Sequence, residues 1–158
     1  MSKYSYPKEY LIYYPGTDVP RNKKGIKNSS ILQVYDKALL LKAYYVFNKL
    51  LTKTTKFDQK YFINLHKTAF QRMYYFAGEF RNQDVSKGNT VFCKAKFIHQ
   101  HIDELFIKLK DENYLKNYKN SSAEDFAEKI AFYMGEIIAI HPFWEFNGSI
   151  TRMFFDLI

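Results

Sequence analysis

The residues best suited to chemistry stand together near the end of the chain, in His141-Pro142-Phe143-Trp144-Glu145-Phe146-Asn147-Gly148-Ser149-Ile150-Thr151-Arg152. An imidazole titrates near neutrality and can take a proton from an attacking hydroxyl, which makes His141 the candidate base. Asn147 falls where a helix N-cap belongs, with Gly148 at the first helical position. Amides at a helix start lack intrahelical acceptors and carry partial positive charge, so they suit phosphate. Glycine there lets a ligand approach the backbone closely. Arg152, one turn beyond Gly148, can fork onto phosphate oxygens. Glu145 is a single carboxylate, and beside phosphate a single carboxylate is a normal protein ligand of Mg2+. Each residue alone also has an ordinary reading: a capped turn, a surface ion pair, a solvated acid, a histidine at a helix end. Their order carries the signal.

Helical patterns must hold this segment on both sides. Ser121-Ser122-Ala123-Glu124 reads as a capping box, opening a helix with Phe126, Ile130, Tyr133, Met134, Ile137 and Ile138 on its stripe. It should end just before His141, because Pro142 disfavours helical geometry in the residue before it. A last helix starts near Gly148, with Ile150, Met153, Phe154 and Leu157 inward. Upstream, residues 1–29 carry Pro7, Pro15, Gly16, Pro20 and Gly25 between polar residues and read as an extended arm with turns, pinned to the body by Tyr4, Tyr6, Tyr10, Tyr13 and Tyr14. Ser29 or Ser30 can cap a helix to about Leu51, apolar on most sides and so expected to be largely buried. Asp58 caps a second helix, with Phe62, Ile63, Leu65, Ala69, Phe70, Met73 and Phe76 inward and Gly78 at its end. His66 on it reads as a core or boundary histidine held by hydrogen bonds, since no second metal ligand sits at a paired spacing.

Lys87-Gly88-Asn89-Thr90, between Val85 and Val91-Phe92, marks a β-hairpin. A short hairpin on a helical body can offer its edge to an extended peptide from another protein. A third helix from Phe97 to about Lys110 buries Ile98, Ile102, Leu105, Phe106 and Leu109 and leaves His99 and His101 on the surface. A short helix follows near Tyr114 to Tyr118.

Composition sets the outer bounds. The 158 residues suit one domain, and 47% apolar content is enough for a packed core. The 14 Tyr and 15 Phe fall mainly at helical spacing, so they fill a core rather than stack on bases. A net charge of +8 favours acidic partners, but the lysines are scattered, and direct nucleic-acid binding is not expected. One cysteine, Cys93, excludes an internal disulfide and fits a reducing cytoplasm. No apolar run is long enough to cross a membrane.

The order of the first segment resembles the signature of the Fic family, H-x-F-x-[D/E]-G-N-G-R-x-x-R, matched here by His141, Phe143, Glu145, Asn147, Gly148 and Arg152. Tyr133-Met134-Gly135-Glu136 and the run from Phe76 to Arg81 leading into Asp84-Val85-Ser86-Lys87-Gly88-Asn89 are also similar to the family. The resemblance implies an all-α Fic-type helical bundle with one short β-hairpin flap near the active site. It implies an N-terminal arm over residues 1–29 and a Fic domain over 30–158, expected to be incomplete at its C-terminus. It further implies transfer of AMP from ATP to a Ser, Thr or Tyr hydroxyl of a target protein, in a cytoplasmic, toxin-type protein. On that likeness His141 is the base and Glu145 holds Mg2+. Asn147, Gly148, Ser149 and Arg152 take the phosphates. Lys87, Gly88, Asn89, Thr90, Val91 and Phe92 form the target-docking flap.

Two positions depart from the signature. Phe146 replaces a small residue, usually glycine, and Ser149 replaces the first arginine. A non-glycine residue at positive φ costs about 1–2 kcal/mol, and loss of a preorganised donor costs on the order of 10²-fold in rate. A second reading therefore stays open, a degenerate Fic domain that binds nucleotide or a partner protein with little or no catalysis. A third is a variant that transfers another phosphate-containing group. The family's inhibitory motif, [S/T]-x-x-x-E-[G/N], does not occur in this sequence, which points to a small antitoxin protein or a segment beyond Ile158 as its source.

Overall fold

A computed structural model describes residues 12–158. Tyr4, Tyr6 and Tyr10 of the expected arm lie outside these residues. The order of elements is α1 (Ser29–Leu50), α2 (Gln59–Phe70), β1 (Ser86–Lys87), β2 (Thr90–Val91), α3 (Ile98–Asp111), α4 (Ala123–Ile140) and α5 (Asn147–Asp156), with 3-10 segments at Ala95–Phe97 and Asn113–Asn120. The all-α bundle with a single hairpin expected from the sequence is the architecture found among the described residues.

Side-chain caps begin three of the helices. Asn28, not Ser29 or Ser30, accepts the Ile31 N–H at 3.0 Å. Asp58 accepts the Tyr61 N–H at 2.8 Å, and Ser122 accepts the Asp125 N–H at 3.0 Å. Helix α2 ends at Phe70 rather than running to Gly78, and Met73, Tyr74 and Phe76 are buried from the turns that follow. Gly78 has its own reason to be glycine. Its φ is 82°, and a Cβ there would stand 2.7 Å from Lys67 Cβ.

The core is aromatic, as the Phe and Tyr spacing implied. Phe154 of α5 lies edge-on to Phe57, Phe62 and Phe106, and Phe62 faces Phe143 of the loop before α5. All five expected inward residues of α3 are buried, and His99 and His101 are exposed. Helix α1 corrects the expectation of near-complete burial. Only Leu32, Ala43 and Phe47 are buried, whereas Ile31, Val34, Tyr35, Leu41, Tyr45 and Leu50 are at least half exposed. The helix packs along one side, chiefly on α2, so apolar residues around the rest of its circumference stay outside.

Candidate active site

Helix α4 delivers the site. It ends at His141, which takes a left-handed conformation (φ 52°) as the C-cap, with its N–H on the Ile137 carbonyl at 2.9 Å. That reversal throws the chain into residues 142–146, and α5 begins on a second left-handed residue, Phe146 (φ 65°). Two of the positive-φ non-glycine residues thus bracket the six-residue span between the helices. Such conformations persist only where the surroundings over-determine them.

Asn147 supplies one of those constraints, and it corrects the expected cap. Phe146 is the N-cap and Asn147 is already helical. The Asn147 side chain turns back instead: Oδ1 accepts the Phe143 N–H at 2.8 Å and Nδ2 donates to the Phe143 carbonyl at 2.7 Å. With both ends of its amide spent on the loop, Asn147 can meet a ligand through its backbone N–H, not its side chain. The first intrahelical bond of α5 joins Ile150 N–H to the Phe146 carbonyl, so the amides of residues 147–149 precede it.

Arg81 is a second constraint, one that sequence reasoning passed over. Its side chain is 2% exposed and donates to four carbonyls, those of His141 (2.7 Å), Gln83 (2.6 Å), Cys93 (2.5 Å) and Ile140 (3.0 Å). Its own N–H reaches the Pro142 carbonyl at 2.8 Å. A guanidinium with five donors in a fixed fork suits this task, and the C-terminal end of a helix favours a cation. Arg81 therefore ties the end of α4 to both flanks of the hairpin.

His66 is the third. It is fully buried, accepts the Gly78 N–H at Nδ1 (2.8 Å) and meets the Glu145 carbonyl through Nε2 (3.2 Å). Since Nδ1 accepts, Nε2 carries the proton and donates. Burial pushes its pKa down to about 4, so it is neutral, and its ring stacks on Phe143 at 4.0 Å. The core histidine held by hydrogen bonds is what the structure contains, and the loop is what it holds.

Around these constraints the remaining candidates take their places. The His141 ring is buried and stacked on Phe92, the last flap residue, at 3.9 Å. The flap pairs Ser86 with Val91 and Lys87 with Thr90, with Gly88 at φ 57° where a two-residue turn needs positive φ. Lys87, Gly88, Asn89, Thr90 and Val91 are exposed. Glu145 is 5% exposed and accepts a hydrogen bond from Tyr13. It lines a cavity of about 160 Å³ with Asp18, Asp36 and Phe146 against the first turns of α1. The Asp36 pKa is raised to about 6 by burial and by Glu145, against the hydrogen bond that the Tyr74 hydroxyl shares between its two oxygens. Next along α1, a cavity of about 340 Å³ is lined by Ser149, Arg152, Met153 and Asp156 of α5 and by Lys37, Leu40 and Tyr44 of α1. Lys37 is a cation there with no signal in the sequence, because residues of α1 and α5 come to line one cavity only in the folded chain.

The Phe146 ring stacks on Phe70 at 3.9 Å and lies beside Tyr74. At Gly148, by contrast, the three atoms nearest to an added Cβ all belong to the Arg152 guanidinium, 3.5–4.0 Å away. The start of α5 thus has a guanidinium over it, while the neighbouring ring is committed to α2.

The model of the Fic/DOC family matches residues 56–158. Protein adenylyltransferase VbhT of Bartonella schoenbuchensis is 32% identical over 143 residues, which are 89% of this chain and 28% of that protein. The probable protein adenylyltransferase Fic of Escherichia coli is 28% identical over 90% of this chain and 68% of its own length. The chain thus spans little more than a quarter of VbhT and about two thirds of the Escherichia coli relative. Among solved structures, BepC of Bartonella tribocorum with bound AMPPNP superposes with a TM-score of 0.78 at 24% identity, over 92% of this chain and 75% of that one. It shares the fold.

Proposed function

From the premise that this chain belongs to the Fic/DOC family, we propose that it is a protein adenylyltransferase, moving AMP from ATP to a hydroxyl side chain of a target protein. The observation that carries the reading is one short span, held by Arg81, His66 and Asn147, that joins a buried imidazole to the start of a helix under a guanidinium. Relatives named as adenylyltransferases support it.

In this reading His141 accepts the proton of the target hydroxyl. The hydroxyl oxygen attacks the α-phosphorus, the bond from that phosphorus to the bridging oxygen breaks, and pyrophosphate leaves. The amides that open α5 and the Arg152 guanidinium face the charge that collects on the phosphates, with Lys37 lining the same cavity as Ser149 and Arg152. The flap offers the exposed edges of Lys87 to Val91 to an extended stretch of the target.

Glu145 fits a magnesium ligand. Among the described residues no three His, Cys, Asp or Glu side chains are grouped to hold a metal. An ion here would draw most of its ligands from phosphate and water, as Mg2+ does. When bound, it neutralises phosphate charge. Among the described residues no helix is long and apolar enough to cross a membrane. We assign the activity to the cytoplasm, supported by the single cysteine, and regard a small antitoxin protein as the source of the inhibitory helix missing from this sequence.

Ser149 favours a second reading, a domain that binds nucleotide without transfer, because the cavity has lost one arginine. Incubation with α-labelled ATP, Mg2+ and bacterial lysate separates the two. Labelling of a lysate protein that disappears in His141→Ala is expected; nucleotide binding without labelling establishes the second reading.

A further inference from the structure

Tyr13 lies outside the segment that matches the family, yet its side chain enters the site. Its hydroxyl donates to Oε1 of Glu145 across 132 positions of sequence, and both side chains are buried. The turn that carries Tyr13 is fastened on all sides. Tyr13 pairs with Pro20, Arg21 N–H reaches the Ile12 carbonyl at 2.7 Å, and Arg21 Nε reaches the Tyr13 carbonyl at 3.2 Å. Lys23 then anchors the segment behind α2, through its N–H to Met73 (2.8 Å) and its ammonium to Gln71 (2.7 Å). His66 grips the carbonyl of the same Glu145, so the residue is held by its main chain and by its carboxylate from two separate elements.

We propose that Tyr13 is a positioning residue for Glu145, presenting the carboxylate to a divalent cation carried on nucleotide phosphates; this rests on the reading of Glu145 as that cation's protein ligand. A carboxylate accepts several bonds at once, so a donor and a cation can share the group. Hydrogen-bond partners behind a metal ligand typically set metal affinity by 10–100-fold. Tyr13 would thus be a part of the site that the signature does not encode.

The test is Tyr13→Phe, which keeps the ring and removes the hydroxyl. Binding of a fluorescent, non-hydrolysable ATP analogue is titrated with Mg2+ for wild type, Tyr13→Phe and Glu145→Gln. Tyr13→Phe is expected to raise the half-saturating Mg2+ concentration about 10-fold while leaving analogue affinity without metal unchanged. An unchanged Mg2+ requirement, a lowered one (a hydroxyl that competes with the cation), or an equal loss of metal-free affinity (a purely structural role) overturns the inference. If Glu145→Gln shifts the requirement and Tyr13→Phe does not, the inference alone fails. If neither variant shifts it, the reading of Glu145 falls too.

Discussion

Phe146 shows how a departure from a signature is accommodated. At φ 65° its backbone carries a strain of about 1–2 kcal/mol. Against this stands a half-buried ring stacked on Phe70, where an aromatic pair is worth about 0.5–1.5 kcal/mol beyond the area it covers. The two terms are of similar size, and burial of the ring, at up to about 1.5–3 kcal/mol, tips the balance. Phe146→Gly should therefore destabilise the protein by about 1 kcal/mol in urea denaturation, despite relieving the left-handed strain. Because the ring lies on α2 and not over Gly148, ATP affinity should change by less than about threefold, under 0.7 kcal/mol. A large gain in affinity would show that the ring obstructs the start of α5.

Between α4 and the hairpin, the deciding interaction is a single buried guanidinium. Arg81 satisfies carbonyls at the end of α4 and on both sides of the flap, and hydrogen bonds from charged groups are worth about 1.5–3 kcal/mol each. Arg81→Met would leave these acceptors buried and unpaired, at a cost of about 3 kcal/mol or more. The loss should be uneven. Hydrogen exchange should quicken first at Phe92 and Cys93, whose N–H groups bond to Val85 and Ala139, and at His141, whereas the amides of α3 stay protected. Uniform loss of protection would instead place Arg81 in the global core.

For the molecule as a whole, a buried group and a half-buried one set opposing pH trends. His66 has its pKa lowered to about 4 by burial, so the folded state binds its proton more weakly than the unfolded chain. Its contribution is full above about pH 6.5 and is lost as pH falls towards 4, on the order of 3 kcal/mol. Asp36 has its pKa raised to about 6, first by burial, with Glu145 adding, so its contribution is present below about pH 4 and is lost as pH rises through 6. Between pH 4 and 6 the two partly cancel. Asp36→Asn should steepen the loss of stability on acidification through that window. His66→Phe should reverse the trend, on top of a cost of about 1–3 kcal/mol for each of the two partners it strands, Gly78 N–H and the Glu145 carbonyl. Thermal melts of the three proteins from pH 4 to 8 check both signs.

Much of this could be read along the chain. The inward residues of α3 and the break at His141 follow from periodicity and from Pro142, and the hairpin follows from Gly88-Asn89, because these signals are local. The matches at His141, Glu145, Gly148 and Arg152 are likewise linear facts. What holds them was not legible. Tyr13, His66 and Arg81 reach the loop from 132, 79 and 60 positions away, and no short-range pattern marks a side chain whose partners are distant carbonyls or a distant carboxylate. The same limit misjudged α1, where apolar residues all round suggested burial that only neighbouring helices could have provided. Residue order supplies the chemical groups and the periods of the elements. Which groups meet, and which faces stay wet, is settled when the helices pack, since those contacts exist only after the chain has closed on itself.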